Sequence, residues 1–110
     1  MSIAYKIGGK SIHRNGISRP VSLVEFTISG GATTPQEFAD SILPAAFVEV
    51  NSQNGVVLSG RGPIWGYAML LHFFHSSAWV GVVDPRLGIV VVQSHTPGLA
   101  DGEVWEEGED

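Results

Sequence analysis

The sequence contains no cysteine, which removes disulfides, thiolate metal ligands and a cysteine nucleophile together. Any metal or acid–base chemistry therefore falls to histidine and carboxylate, and a reducing interior is the natural setting. No apolar run approaches the roughly 18 residues that a membrane span needs. The start, Met1-Ser2-Ile3-Ala4-Tyr5-Lys6, lacks a basic segment followed by an apolar stretch, so a cytoplasmic location without membrane attachment is expected. An excess of basic charge is missing as well: the formal net charge is −5, which at first sight argues against a nucleic-acid ligand. No internal repeat is visible.

What is present is apolar side chain, 44% of the 110 residues, enough to fill the core of one α/β domain. The acids are unevenly spread. Six of the eleven lie in residues 101–110, leaving five acids against all six basic residues in 1–100. This division predicts a single domain over 1–100 and an acidic, flexible, solvated tail over 101–110.

Ile3–Ile7 alternates like a short strand ended by Gly8-Gly9, and Val21–Ile28 is a stronger strand ended by Gly30-Gly31. Thr34-Pro35-Gln36-Glu37 offers a helix cap, a proline in the first turn and a capping box, with the helix running to about Leu43 before Pro44. After the Asn54-Gly55 turn, Val56–Ser59 reads as a buried central strand. A helix opens at Pro63 and continues to about Phe74, rich enough in apolar residues to be packed on most sides. Ala78–Val83 and Ile89–Gln93 form a pair of strands joined by Asp84-Pro85-Arg86-Leu87-Gly88. The order β, β, α, β, α, β, β suggests a mixed α/β sheet with two helices.

Four places carry candidate chemistry. Ser59-Gly60-Arg61-Gly62-Pro63 turns a buried strand into a helix, where free backbone N–H groups, two glycines and an arginine suit a phosphate. A tight turn solving only a backbone problem explains the glycines equally well, and the lysine and spacing of a Walker loop are absent. His72 and His75 lie three apart; His72 reads as a core residue, whereas His75 stands at the helix exit, able to donate a proton or face a phosphate. Asp84-Pro85-Arg86 is either a simple Asp-Pro turn or an acid and a base fixed for phosphate or a divalent cation. His95 ends the last strand, where α/β sheets often present functional groups, although a surface histidine is the plain alternative.

Ser59-Gly60-Arg61-Gly62-Pro63-Ile64-Trp65, then Asp84-Pro85-Arg86-Leu87-Gly88, then Val90-Val91-Val92-Gln93-Ser94-His95 together resemble the motifs of the CRISPR-associated Csx-three family. The resemblance covers residues 55–97 strongly and Val21–Ile28 with its following helix weakly. It implies a compact relative of the CRISPR-associated Rossmann fold that forms a homodimer. It also implies a ring nuclease that cleaves the cyclic tetra-adenylate messenger of type III CRISPR immunity, with manganese as cofactor. A module binding adenosine-rich RNA, or a manganese-dependent deadenylating 3′ exoribonuclease, is the alternative, and an ordinary metalloenzyme ranks third for want of a dense ligand cluster. By this similarity Ser59, Gly60, Arg61, Gly62 and Ser94 are the expected substrate-binding residues. His75, Asp84, Arg86 and His95 are the expected catalytic ones, with Asp84 on the metal. Because cleavage needs more groups than one chain offers, two dimers are expected to sandwich the ring, so that His75 of one acts with Asp84 and His95 of the other.

Overall fold

A computed structural model of the chain describes residues 3–45, 47 and 49–108. Six strands and two helices follow one another: β1 (Ile3–Arg14), β2 (Ile17–Ile28), α1 (Pro35–Ala45), β3 (Val56–Gly60), α2 (Ile64–Phe73), β4 (Trp79–Asp84), β5 (Gly88–Ser94) and β6 (Val104–Glu107). The strands pair in sequence order, and β6 returns to β1 to close a barrel. β2, β3 and β4 run parallel, and every other pairing is antiparallel.

The two-helix mixed sheet agrees with expectation, but the Rossmann arrangement implied by the resemblance does not. A doubly wound fold reverses its strand order so that helices cover both faces of the sheet. Here β2-α1-β3-α2-β4 advances one strand at a time, and parallel crossovers share one hand, which puts both helices on one face. Phe38 of α1 meets Trp65 of α2 edge to face at 6.0 Å, and both helices pack on Val24, Phe26, Ile28, Val56, Leu58 and Val80. The uncovered face must bury itself. It does so by curling around Ile12, Val21, Leu23, Val57, Trp79, Ile89, Val91, Leu99 and Trp105, a second core drawn mainly from the six strands.

The capping box forms as its sequence predicts: Thr34 N donates to Glu37 Oε1 (3.0 Å) and Glu37 N donates to Thr34 Oγ1 (3.2 Å). Those donors, with the Thr33 hydroxyl, hold the Glu37 carboxyl below its ordinary range. α1 runs through Pro44 to Ala45. The first strand is longer than its pattern suggests, since Gly8 and Gly9 stay in the ladder opposite Leu23 and Ser22. It ends instead at Asn15-Gly16, whose φ values of 53° and 80° match the two positive-φ positions of a type I′ hairpin turn. α2 is not packed on most sides: Gly66 and Leu70 are its buried residues, while Ile64 and Phe73 are exposed.

The acidic segment 101–110 is not a solvated tail throughout. Val104–Glu107 is β6, pairing with β5 through Ile89↔Trp105 and with β1 through Ile12↔Glu107. The strand pattern is weak because acids flank a single large apolar residue, yet Trp105 alone carries enough apolar surface to seat the segment. Its ring is 3% exposed. An exposed pair, His13 Nε2 to Glu106 (2.9 Å), and a half-buried one, Arg14 to Glu103 (3.0 Å), add contacts at the seam.

Replacing Trp105 with Ala should therefore cost about 3–5 kcal/mol, as truncation of a buried aromatic usually does. Urea unfolding measures it, and an unchanged midpoint would mean that the segment is a detachable tail after all.

Candidate functional site

Parallel pairing of β2, β3 and β4 gathers their carboxyl ends at one end of the barrel. A cavity of about 760 Å³ opens there, lined among others by Ser59, Gly60, Arg61, Tyr67 and Asp84. A second hollow of about 390 Å³, bordered by Thr33, Arg61, Gly62, Pro63 and Trp65, adjoins it. Arg61 is exposed and lines both. Its guanidinium, with five donors and no acceptor, is thus placed between two concave surfaces at a strand-to-helix turn.

The glycines beside it answer to the core. A Cβ on Gly60 would lie 2.7 Å from the Phe26 ring, and one on Gly62 would lie 2.6 Å from it. Both are required by Phe26 whatever the turn binds. Tyr67, absent from the expected site, donates its hydroxyl to the Gly60 carbonyl and packs on Phe26 at 5.2 Å. Burial raises its hydroxyl pKa. The signal for it was available, since Tyr67 falls one turn after Ile64 on the same face of α2.

Asp84 caps its own turn: Oδ1 accepts from Arg86 N (2.8 Å) and Leu87 N (3.1 Å). These N–H groups lower its pKa, the Arg86 charge adding less. Arg86 Nε lies 3.9 Å from the same oxygen, with its side chain 87% exposed. The turn reading of Asp84-Pro85-Arg86 thus holds, and it also fixes a carboxylate at the cavity wall.

His75 and His95 stand elsewhere. Because β5 runs antiparallel to β4, Ser94 pairs with Trp79 at the start of β4, so His95 falls at the opposite end from Asp84. The two ends are separated by roughly 16 Å of strand. His95 meets His75 instead: the His75 carbonyl accepts from His95 Nε2 (3.2 Å) and from the Gln93 amide. The expected grouping of His95 with Asp84 and Arg86 around the hairpin is therefore corrected. His75 Nδ1 donates to the His72 carbonyl (2.8 Å), and the two rings stack at 5.7 Å. Carbonyls only accept, so Nε2 of His75 and Nδ1 of His95 are the nitrogens left for a ligand. His72, expected in the core, is exposed, because it lies off the buried Gly66–Leu70 stripe of α2.

Ser94 shares this end of the sheet and does not reach the Arg61 turn. Its hydroxyl donates to Leu99 O (2.6 Å) and accepts from Thr96 N (3.0 Å), bracing the loop after β5. Manganese fits poorly within one chain. Among the described residues no three His, Asp or Glu side chains converge as a metal site, and Asp84 alone supplies a carboxylate to the large cavity. A divalent hard cation ordinarily takes several oxygen ligands.

A closed α/β barrel with an arginine-bearing turn at the carboxyl ends of its parallel strands is the class that fold and site define. Residues 31–106 match the family described as CRISPR-associated protein (Cas_csx3), and the chain belongs to it. A protein of Aquifex aeolicus (strain VF5), described as uncharacterized, is 41% identical over 93 residues, covering 82% of this chain and 83% of that protein. No helix among the described residues is long and apolar enough to cross a membrane.

Replacing Arg61 with Ala should weaken binding of oligo-adenylate RNA about tenfold or more, a charge-assisted contact being worth about 1.5–3 kcal/mol. Thermal unfolding should be unchanged, whereas Gly62→Ala should lower the melting temperature through Phe26. A titration showing equal affinity for Arg61→Ala and the parent would remove the turn from the site. For Asp84 the sign is that of a depressed carboxyl. Its stabilising turn bonds are complete above the ordinary carboxylate range and are lost as pH falls through the lower folded value. An NMR titration of the Asp84 carboxyl carbon should show a midpoint below those of exposed aspartates.

Proposed function

We propose that the protein is a ring nuclease that opens cyclic tetra-adenylate, holding phosphates at the Ser59–Pro63 turn and cleaving between copies of itself. Membership of the CRISPR-associated family supports the substrate class, and the position of Arg61 between two hollows carries the binding half of the reading. The cleavage half rests on the separation of His75 and His95 from Asp84 and Arg86. Opening a phosphodiester requires activating an attacking oxygen, stabilising charge on phosphorus and protonating a leaving oxygen. The Asp84–Arg86 cavity holds no histidine to protonate a leaving oxygen, and among the described residues neither His75 nor His95 has a carboxylate or guanidinium within hydrogen-bond reach. When two dimers sandwich the ring, the histidine end of one meets the Asp84–Arg86 end of another, and the four groups share one phosphate. Asp84 takes the proton of an attacking water whose oxygen bonds to phosphorus, Arg86 offsets the charge that builds there, and an imidazole of His75 or His95 gives a proton to the leaving ribose oxygen as its bond to phosphorus breaks. The expected pairing is thereby revised, with His95 acting beside His75 in the same chain.

One observation favours a second reading, an adenosine-rich RNA-binding module: the Arg61 cavity contains no histidine. The assay that separates the readings incubates the protein with cyclic tetra-adenylate and with linear oligo-A, each with and without manganese, and resolves the products. Linear tetra-adenylate or shorter products from the ring support the proposal. Shortening of linear RNA from its 3′ end alone indicates a deadenylating exoribonuclease, and tight binding without products indicates the module. A second test is complementation. His75→Ala and Asp84→Ala proteins should each lose at least about tenfold in rate, a fraction of what acid–base catalysis usually contributes. Their mixture should regain activity, and the parent's rate should rise more than linearly with protein concentration. A mixture that stays inactive although both variants bind the ring contradicts cleavage between copies.

A further inference from the structure

At the end of the barrel opposite Arg61, the amino ends of β2, β3 and β4 surround a hollow of about 140 Å³ lined by Arg19, Pro20, Gln53, Asn54, Trp79 and Thr96. Arg19 enters this wall from β2, where it pairs with Ile12. Its Nε is buried and has no hydrogen-bond partner. The guanidinium carbon stands 5.7 Å from the centre of the Trp105 ring, so the indole covers a face of the cation and offers its edge no acceptor. Arg14 and Arg86 each lie within reach of a carboxylate, but among the described residues none pairs with Arg19. Arg19 as a whole is only half-buried and lines the hollow, so the free edge of its guanidinium, rather than the covered Nε, is what an anion in the hollow would meet.

The surroundings are those of an anion site. No acidic residue lines the hollow. The turn Ser52–Asn54 is held by the Asn51 side chain, which accepts from Gln53 N, and by Asn54 N donating to Asn51 O. The side-chain amides of Gln53 and Asn54 take no part in those bonds. Thr96 Oγ1 donates to Ala78 O (3.0 Å) and braces the far wall. Size narrows the ligand: the volume is well below the roughly 300 Å³ at which pockets begin to hold drug-sized ligands. It accommodates a few waters, or a small oxyanion in their place, at about 30 Å³ per water. A phosphate group carries about −1.5 to −2 charge at pH 7 and three strong acceptor oxygens, so a guanidinium beside two amides favours it over a singly charged carboxylate.

We propose that the Arg19 hollow is a phosphate-binding site, distinct from the Arg61 turn and independent of the nuclease reading. Its chemistry is a phosphate group held by the Arg19 guanidinium with the amides of Gln53 and Asn54. The test follows the Arg19 Nε–H resonance by ¹⁵N–¹H NMR on the intact protein, titrated at constant ionic strength with inorganic phosphate, with adenosine 5′-monophosphate and with acetate. Phosphate and the nucleotide should shift it saturably, with a dissociation constant of the order of 1 mM, and acetate should not. Arg61→Ala should leave the response intact. Asn54→Asp, which puts a carboxylate beside Arg19 without removing any core residue, should abolish it while the protein stays folded. The proposal is overturned by an Nε–H that does not respond to phosphate, by an equal response to acetate, by loss of the response in Arg61→Ala, or by its survival in folded Asn54→Asp.

Discussion

Burial on both faces of Val21–Val24 in β2, Val56–Leu58 in β3 and Trp79–Gly81 in β4 is the constraint on which the rest of this structure depends. Alternate residues serve two cores: Val24, Phe26 and Leu58 face the helices, while Val21, Leu23 and Val57 face the barrel interior. Parallel strands buried on both sides read as continuous apolar runs. With both helices on one side, the inner face can be hidden only by bending the sheet around itself, and that requires a sixth strand. Trp105 supplies the apolar surface that makes a four-residue, mostly acidic segment adequate for the task. The same closure brings Trp105 against Arg19 and so creates the covered guanidinium at the amino ends of the strands.

The direction of each strand then decides which chemical groups can meet. β3 and β4 deliver Ser59, Gly60 and Asp84 to one end because they are parallel. β5 delivers Ser94 and His95 to the other because it returns antiparallel through the Asp84–Gly88 turn. No side-chain motion bridges a strand's length, so the separation of the two clusters follows from topology. Under the proposed reaction, which needs both clusters, association of copies would complete the active site and the activity would depend on concentration.

Much of this was legible in the sequence where a local rule sufficed. Thr34 and Glu37 specify their own reciprocal cap, Asp84 specifies its own turn, and the apolar runs of β2 and β3 announce burial. Barrel closure was not legible, since it depends on pairing across about ninety residues and on one tryptophan amid acids. The failure at His95 has the same origin. A residue at the carboxyl end of a strand lies near an α/β site only if that strand is parallel to the others, and the hairpin before β5 was itself the signal that it is not. His72 is exposed because it lies off the face that carries the buried Gly66 and Leu70, so its apolar neighbours in sequence say little about its own burial.

Phe26 shows how one core residue can mimic a functional signature. A Gly-x-Gly turn containing arginine invites a phosphate reading, yet the Phe26 ring occupies the space where either glycine's Cβ would project. The glycines are therefore compatible with any ligand and diagnostic of none. Arg61 is different, for it is exposed and lines two hollows, with no packing requirement to explain an arginine there. The functional information in the motif lies in its charged residue, and the backbone information lies in the residues around it.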